Sequence, residues 1–131
     1  MSIAVLRLIG FILGIFLITL AVSMAIPMVT LAVYDRSDDL SAFLWSSLIT
    51  FFCGLALIIR GRPEVAQLRP RDMYLLTTAS WVVVCAFAAL PMVLIHHISY
   101  TDAFFETMSG ITTTGSTILT GLDTASPGLL I

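Results

Sequence analysis

The sequence predicts an all-α integral membrane protein, with three transmembrane helices followed by a re-entrant half-helix and an extended segment. Its 131 residues are 59% hydrophobic and only 11% charged, whereas soluble domains carry about 25% charged residues. So few charged side chains could not cover the core of a soluble fold of this size. The charged residues also cluster, which leaves long stretches without charge. A net charge of −2 gives no basic surface for nucleic acid.

Three charge-free stretches are long enough to cross the roughly 30 Å hydrocarbon core of a bilayer. They are Leu8–Tyr34, Leu40–Ile59 and Met73–Ile95. Pro27 is expected to kink the first stretch, and Pro91 lies near the end of the third. Membrane helices tolerate such prolines where neighbouring groups satisfy the freed backbone. We therefore expect three membrane-spanning helices.

The first stretch could instead belong to a cleaved signal peptide. Arg7 would be its basic start, Leu8–Leu20 its apolar part and Ser23-Met24-Ala25 a cleavage site with small residues at its ends. The apolar run, however, continues to Val33 without a polar break. A retained membrane span is therefore the favoured interpretation.

The loops between the stretches differ in charge, which predicts their side of the membrane. Residues 35–39 carry one Arg and three acidic residues, whereas Arg60–Arg71 carries four Arg. Arg-rich loops stay in the cytoplasm. We therefore expect the N-terminus with Arg7 and the Arg60–Arg71 loop inside, and the acidic loop outside. A contact between the Arg-rich loop and a cytoplasmic partner or anionic lipid is the less favoured alternative.

A fourth charge-free stretch, Thr107–Leu122, is different in kind. Eleven of its 16 residues are Thr, Ser or Gly, so it is too short for a bilayer and too polar to face lipid. The overlapping segment Thr101–Gly110 is predicted to be a helix of about 15 Å, half the thickness of a bilayer. Thr101 and Asp102 are typical helix-starting residues, and Gly110 is a typical stop.

Two acidic residues lie one turn apart on this short helix. Asp102 is interpreted as a helix cap that complements the positive helix end, rather than as a ligand. Glu106 is either a solvated residue of the outer surface or a buried acid that adds negative field at the membrane-embedded segment or, as we favour, fixes the helix through a structural hydrogen bond. A carboxylate inside a membrane must be paired or hydrated, so we expect both acids to support the helix.

The residues after the helix, 111–117, would then lie at the depth of the membrane core. Irregular backbone survives there only where protein or water surrounds it. Threonine favours extended backbone, and Gly115 permits a positive φ, so successive carbonyls can be held in order. Carbonyl oxygens at the negative end of a half-helix suit a dehydrated monovalent cation. The predicted cation site is Thr112, Thr113, Thr114 and Gly115; the alternative is an extracellular turn rich in Thr and Gly.

The segment Thr101–Ser116 resembles the first pore loop of Trk-type potassium uptake proteins, which belong to the Trk/Ktr family of cation transporters. The resemblance rests on Thr101–Glu106, on Ser109-Gly110 and on Thr112–Ser116. Leu68–Asp72, which precedes a span, is also similar to that family. The filter stretch is fairly specific to the family, whereas the apolar helices are not.

The resemblance implies the architecture of the chain. Family members carry four helix–pore–helix repeats with pseudo-fourfold symmetry around one pore, so this chain is expected to be a truncated N-terminal part that is inactive alone. Residues 1–72 would form two preliminary helices with the cytoplasmic Arg-rich loop. Residues 73–131 would form the first half of the first repeat, with an outer helix at 73–95, a pore helix at 101–110 and a filter at 111–117.

The resemblance also implies function. Potassium would be the transported substrate, with the backbone carbonyls of Thr113 and Thr114 as its ligands. In the family, Gly at the position of Gly115 goes with potassium preference and Ser with sodium preference. The implied partners are a cytoplasmic nucleotide-binding regulatory subunit and, at full length, a second copy in a homodimer. The implied location is the bacterial cytoplasmic (inner) membrane.

Two other function classes are weighed against potassium transport. A small non-conducting membrane protein that packs in a larger complex is the alternative, and it would leave Thr112–Gly115 as an exposed loop. An enzyme is the weakest idea, because the sequence has no evident nucleophile–base pair or metal cluster. No organic cofactor is expected, since no Gly-rich phosphate loop follows a strand. Symport with protons or sodium and channel-like flux both stay open.

Overall fold

The structure, a computed structural model, describes residues 2–35, 37–61 and 67–120. Within these ranges it contains six α-helices and no strand. In chain order the helices are α1 (Ile3–Ser23), α2 (Ala25–Val33), α3 (Ser37–Arg60), α4 (Pro70–Ala88), α5 (Leu90–His96) and α6 (Tyr100–Ile111). Arg36 and Arg62, which were counted in the two loops, and residues 121–131 lie outside the described residues.

Three helical stretches are long and apolar enough to cross a membrane. They are Ile3–Val33, Ser37–Arg60 and Pro70–His96. The prediction of an all-α protein with three membrane spans is confirmed. Each span starts earlier in the sequence than its charge-free stretch, because the first turns of its helix contain charged residues. Asp72, for example, lies in the first turn of α4 and accepts a hydrogen bond from the backbone N–H of Arg69 at 3.1 Å.

Two of the spans are interrupted a short distance before a proline. The first span breaks at Met24, three residues before Pro27, and the third breaks at Ala89, two residues before Pro91. Proline has no backbone N–H, and its ring crowds the carbonyl four residues earlier, which for Pro27 is that of Ser23. The interruptions therefore follow from the two prolines.

Helices α1 and α3 form the most extensive helix pair, and two glycines allow their close approach. A Cβ on Gly14 would lie 2.7 Å from the backbone oxygen of Gly54, and a Cβ on Gly54 would lie 3.0 Å from the backbone oxygen of Gly14. The Ser47 hydroxyl donates to the Ala21 carbonyl at 3.0 Å across the same interface. Small residues and interhelical hydrogen bonds hold helices together in lipid, where the hydrophobic effect does not.

The end of α3 crosses the beginning of α1. A Cβ on Gly61, the residue after α3, would lie 2.7 Å from the Phe11 nitrogen and 2.8 Å from the Arg7 carbonyl oxygen. Arg7 and Arg60 are therefore at the same end of the helix pair. Both side chains are exposed.

A buried cluster joins the other end of α3 to α2 and α5. Met24, Leu31 and Phe43 form this cluster, and Leu40 and Ile95 pack against it. The contact holds the last turn of α5 against the first turns of α3. It thereby fixes the point from which the chain turns into α6.

Candidate cation-binding site

The short helix α6 follows a reversal of the chain after α5. His97 takes a left-handed φ of 51°. The Ser99 hydroxyl then caps α6 by accepting a hydrogen bond from the Asp102 N–H at 3.1 Å. The interpretation of Asp102 as the cap is therefore wrong: it lies in the first turn, where its charge complements the positive helix end. The Tyr100 hydroxyl donates to the Ala86 carbonyl at 2.9 Å, which ties α6 to α4.

The end of α6 is a Schellman motif in which threonine occupies the usual place of glycine. The Thr113 N–H donates to the Gly110 carbonyl at 3.1 Å, and the Thr114 N–H donates to the Ser109 carbonyl at 3.0 Å. Thr113 has a φ of 55°, although a left-handed conformation costs a non-glycine residue about 1–2 kcal/mol. Gly110 lies inside the helix, so its prediction as the stop is wrong.

Two side chains of α6 bind the segment that follows it. The Ser109 hydroxyl donates to the Ser116 carbonyl at 2.7 Å. The Glu106 Oε1 atom accepts a hydrogen bond from the Thr117 hydroxyl at 2.7 Å. The same oxygen accepts the backbone N–H groups of Ile118 and Leu119. The chain beyond the helix end is thus fastened at two successive points to the helix it has just left.

Glu106 makes hydrogen bonds to the segment that follows α6 rather than within the helix. It lies on α6, outside the three membrane-spanning stretches, and is half-buried. Burial by itself raises the pKa of the carboxyl, but its three hydrogen bonds outweigh this, so the pKa is lowered. The side chain also lines a largely apolar cavity of about 540 Å³ between the first span, α3 and α5. Glu106 is therefore a charged group that organises the segment after α6.

The hydrogen bonds also determine where the carbonyl oxygens point. Within a trans peptide group, the N–H and the C=O point in opposite directions. The N–H groups of Thr113 and Thr114 point into the end of α6, so the carbonyls of Thr112 and Thr113 point away from it. The Ser116 carbonyl, by contrast, points back at α6. The peptide direction reverses around Gly115, which has a φ of 71°.

The carbonyl oxygens of Thr112–Gly115, like that of Ile111 before them, accept no hydrogen bond from residues 2–35, 37–61 or 67–120. The side chains of these residues are exposed, except that Thr112 is half-buried. Across the same described ranges, no group of His, Cys, Asp or Glu could hold a metal ion. Backbone carbonyl oxygens without a hydrogen-bond partner are ligands of the kind that suit a monovalent ion that sheds its water.

Comparisons with known proteins point to one family, although no protein-family model matches the sequence. The Trk system potassium uptake protein TrkI of Halomonas elongata is 41% identical over 119 residues, which cover 90% of this chain and 24% of that protein. TrkH of Vibrio parahaemolyticus is 31% identical over 129 residues, covering 97% of this chain and 26% of that protein. The fold of this chain also superposes on the crystal structure of the potassium transporter TrkH from Vibrio parahaemolyticus. The TM-score is 0.87 at 31% identity, over 95% of this chain and 27% of that one.

The chain is a homologue of the Trk potassium uptake proteins. The resemblance inferred from the segment Thr101–Ser116 is thereby confirmed, and the chain is part of a multi-pass membrane protein family. The chain spans about a quarter of the length of the curated Trk relatives it matches.

Sequence reasoning missed three features of this Trk-type segment. The cap at Ser99 had a local signal, because Ser followed three residues later by an acid is a capping pattern. The left-handed Thr113 had none, since a β-branched residue is a poor candidate for that position. The bond from Ser109 to Ser116 also had none, because it joins a helical side chain to a carbonyl seven residues later.

Proposed function

We propose that this chain forms one side of the potassium path of a Trk-type uptake protein in the bacterial cytoplasmic membrane. In this proposal α6 is a re-entrant pore helix, and Thr112–Gly115 are one quarter of a filter whose backbone carbonyls replace water around a potassium ion. The ion moves down its electrochemical gradient, and no covalent chemistry is involved.

The observation that carries this proposal is the run of carbonyl oxygens at Thr112–Gly115 that accept no hydrogen bond from the described residues. A backbone polar group without a partner costs several kcal/mol at membrane depth. A helix of 12 residues, such as α6, is about 18 Å long and ends near the middle of a bilayer if it enters from one face. Carbonyl groups at that depth need a partner that replaces a hydrogen-bond donor. A monovalent cation is such a partner, because a ring of carbonyl oxygens can coordinate it in place of water.

Potassium is the proposed ion for two reasons. The relatives that match most of this chain are named as potassium uptake proteins. The residue at the reversal of peptide direction is Gly115, with a φ of 71°, and the family resemblance associates Gly at this position with potassium preference. The carbonyls of Thr113 and Thr114 are proposed as the potassium ligands, and Asp102 and Glu106 as supports of the pore helix.

The proposal extends to orientation and partners. Arg7 and Arg60 lie at the same end of the α1–α3 pair, as the crossing at Gly61 requires. Because Arg-rich ends are usually cytoplasmic, we propose that the N-terminus is inside and that α6 enters from outside. By family resemblance, a nucleotide-binding regulatory subunit contacts the cytoplasmic side and the full-length protein is a homodimer.

Gly115→Ser in a chimeric transporter tests the proposal. The chimera is TrkH of Vibrio parahaemolyticus in which this 131-residue sequence replaces the matching segment. Serine is strained by about 1–2 kcal/mol at a left-handed φ, so the carbonyls beside it should lose their alignment. We expect potassium uptake at low external potassium to become more sensitive to competing sodium.

The matched control is Gly110→Ser, the same chemical change inside α6, where an added Cβ meets no atom within 4 Å. This variant should keep the ion preference of the chimera. Uptake is compared after normalising to the amount of transporter in the membrane. A chimera that is present in the membrane but takes up no potassium would contradict the proposal and favour a non-conducting membrane protein.

A further inference from the structure

Ser109 is the one residue of α6 that bonds to the chain on both sides of Gly115. Its backbone carbonyl accepts the Thr114 N–H at 3.0 Å. Its hydroxyl donates to the Ser116 carbonyl at 2.7 Å. Ser109 is only 7% exposed, so both bonds are partly shielded from water, which strengthens a hydrogen bond relative to one at the surface.

The two bonds hold two peptide groups in opposite directions. The Thr113–Thr114 peptide presents its N–H to α6 and therefore turns its carbonyl away from the helix. The peptide between Ser116 and the next residue presents its carbonyl to α6. The chain reverses direction between them at Gly115, whose φ of 71° is open to glycine. A single buried residue thus holds the Thr113 carbonyl away from α6 and the Ser116 carbonyl toward it.

We propose that Ser109 is a positioning residue for ion selectivity, an inference that rests on the proposed filter at Thr112–Gly115. By binding the Ser116 carbonyl, its hydroxyl removes that oxygen from the ion path, so that the proposed filter ends at the Gly115 carbonyl. Without the hydroxyl, the peptide after Ser116 is free to rotate, and its carbonyl competes for the ion in a position that is not fixed. A filter of variable carbonyl number discriminates less well between potassium and sodium.

The proposed role of Ser109 differs from that of Glu106, which binds a later part of the segment. The bonds from Glu106 fasten the chain at Thr117, Ile118 and Leu119, beyond the proposed filter. They locate the segment that leaves the filter, but they do not bind a carbonyl. Ser109 is the side chain that binds the first carbonyl after the run.

The test measures the ratio of potassium to sodium uptake for Ser109 variants of the chimera described above. Loss of one shielded hydrogen bond corresponds to roughly a fivefold change in an equilibrium. Ser109→Ala is therefore expected to lower the ratio about fivefold, whereas Ser109→Thr, which keeps the hydroxyl, should restore most of it. Ser109→Cys, which has nearly the size of serine but is a weak donor, should fall between them.

Ser80→Ala is the matched control, because the Ser80 hydroxyl donates only to the Thr77 carbonyl of its own helix at 2.7 Å. It should leave the ratio unchanged. All uptake rates are normalised to the amount of transporter in the membrane. If the Ala variant does not accumulate there, the uptake ratio of the Cys variant is compared with that of the unsubstituted chimera instead. An unchanged ratio in Ser109→Ala, or an equal loss in Ser109→Thr, would overturn the inference while leaving the proposed function in place. Absence of selective uptake in the unsubstituted chimera would instead overturn the proposed function.

Discussion

Gly10 and Gly14 lie one turn apart on α1, and their different surroundings allow a sharp test of how α1 and α3 pack. A Cβ added at Gly10 meets no atom within 4 Å. A Cβ added at Gly14 would lie 2.7 Å from the Gly54 backbone oxygen and 2.7 Å from Cγ1 of Ile58. Gly10→Ala and Gly14→Ala therefore make the same chemical change in open space and in a closed interface.

The loss of stability expected for Gly14→Ala follows from the geometry at Gly14. Comfortable non-bonded contacts between carbon atoms are about 3.5–4.0 Å, so α3 must move away by roughly 0.5–1 Å. The Ile58 side chain could rotate, but the oxygen of Gly54 belongs to the backbone and cannot. Overpacking of this kind costs about 1–3 kcal/mol. Both substitutions gain about 1 kcal/mol of helix propensity, and this gain cancels in the comparison.

We therefore expect Gly14→Ala to be about 1–3 kcal/mol less stable to unfolding than Gly10→Ala. Gly54→Ala should lie at the lower end of that range, because its Cβ would be 3.0 Å from the Gly14 oxygen. The double variant of Gly14 and Gly54 should lose less free energy of unfolding than the two single variants lose together, since both substitutions separate the same two helices. Unfolding by SDS in mixed micelles, followed by far-ultraviolet circular dichroism, measures the difference. Equal stability of the Gly10 and Gly14 variants would show that the close approach of α1 and α3 does not hold the pair together.

Two further predictions concern orientation and the support of the filter. With both native cysteines replaced, a new Cys at Ser37 should react with a membrane-impermeant thiol reagent added outside whole cells, and one at Gln67 should not; the reverse pattern would invert the orientation. Glu106→Ala removes the acceptor of two backbone N–H groups, each worth about 1.5–3 kcal/mol when the partner is charged. Amide hydrogen exchange at Ile118 and Leu119 should therefore accelerate at least tenfold, with Asp102→Ala as the control on the same helix. Unchanged exchange would show that Glu106 does not hold the segment after the filter.

The three spans were predictable because bilayer thickness is a strong constraint on sequence. A membrane helix must avoid charge over about 20 residues, and this pattern is visible without any knowledge of packing. The helix ends were less predictable, since Asp38 and Asp39 lie within the first turn of α3 although they count as loop charges in the sequence. Acidic residues stabilise the first turn of a helix. The first charged residue therefore marks the end of the apolar part of a span and not the end of its helix.

The segment after α6, which we propose as a filter, could be singled out from the sequence, but the hydrogen bonds that hold it could not. Short length, threonine content and Gly115 indicated a carbonyl-lined stretch, and the family resemblance pointed to the same residues. The bonds that hold it depend on the path of the chain after the helix, and no local pattern specifies that path. A left-handed Thr113 illustrates the difficulty: its intrinsic preference opposes the conformation, and two bonds from the end of α6 impose it.

The backbone hydrogen bonds of the segment after α6 explain why the left-handed Thr113 occurs together with carbonyl groups that point away from the helix. Four N–H groups after α6, those of Thr113, Thr114, Ile118 and Leu119, are paired with Ser109, Gly110 and Glu106 of that helix. Each N–H that is turned toward the helix turns a carbonyl away from it. The two bonds that attach Thr113 and Thr114 to the end of α6 therefore also turn the carbonyls of Thr112 and Thr113 away from the helix. If the proposed function holds, a substitution that weakens these hydrogen bonds should disturb the proposed ion site even when it leaves every carbonyl chemically intact. Ion selectivity should then respond to such a substitution more strongly than the amount of folded protein does.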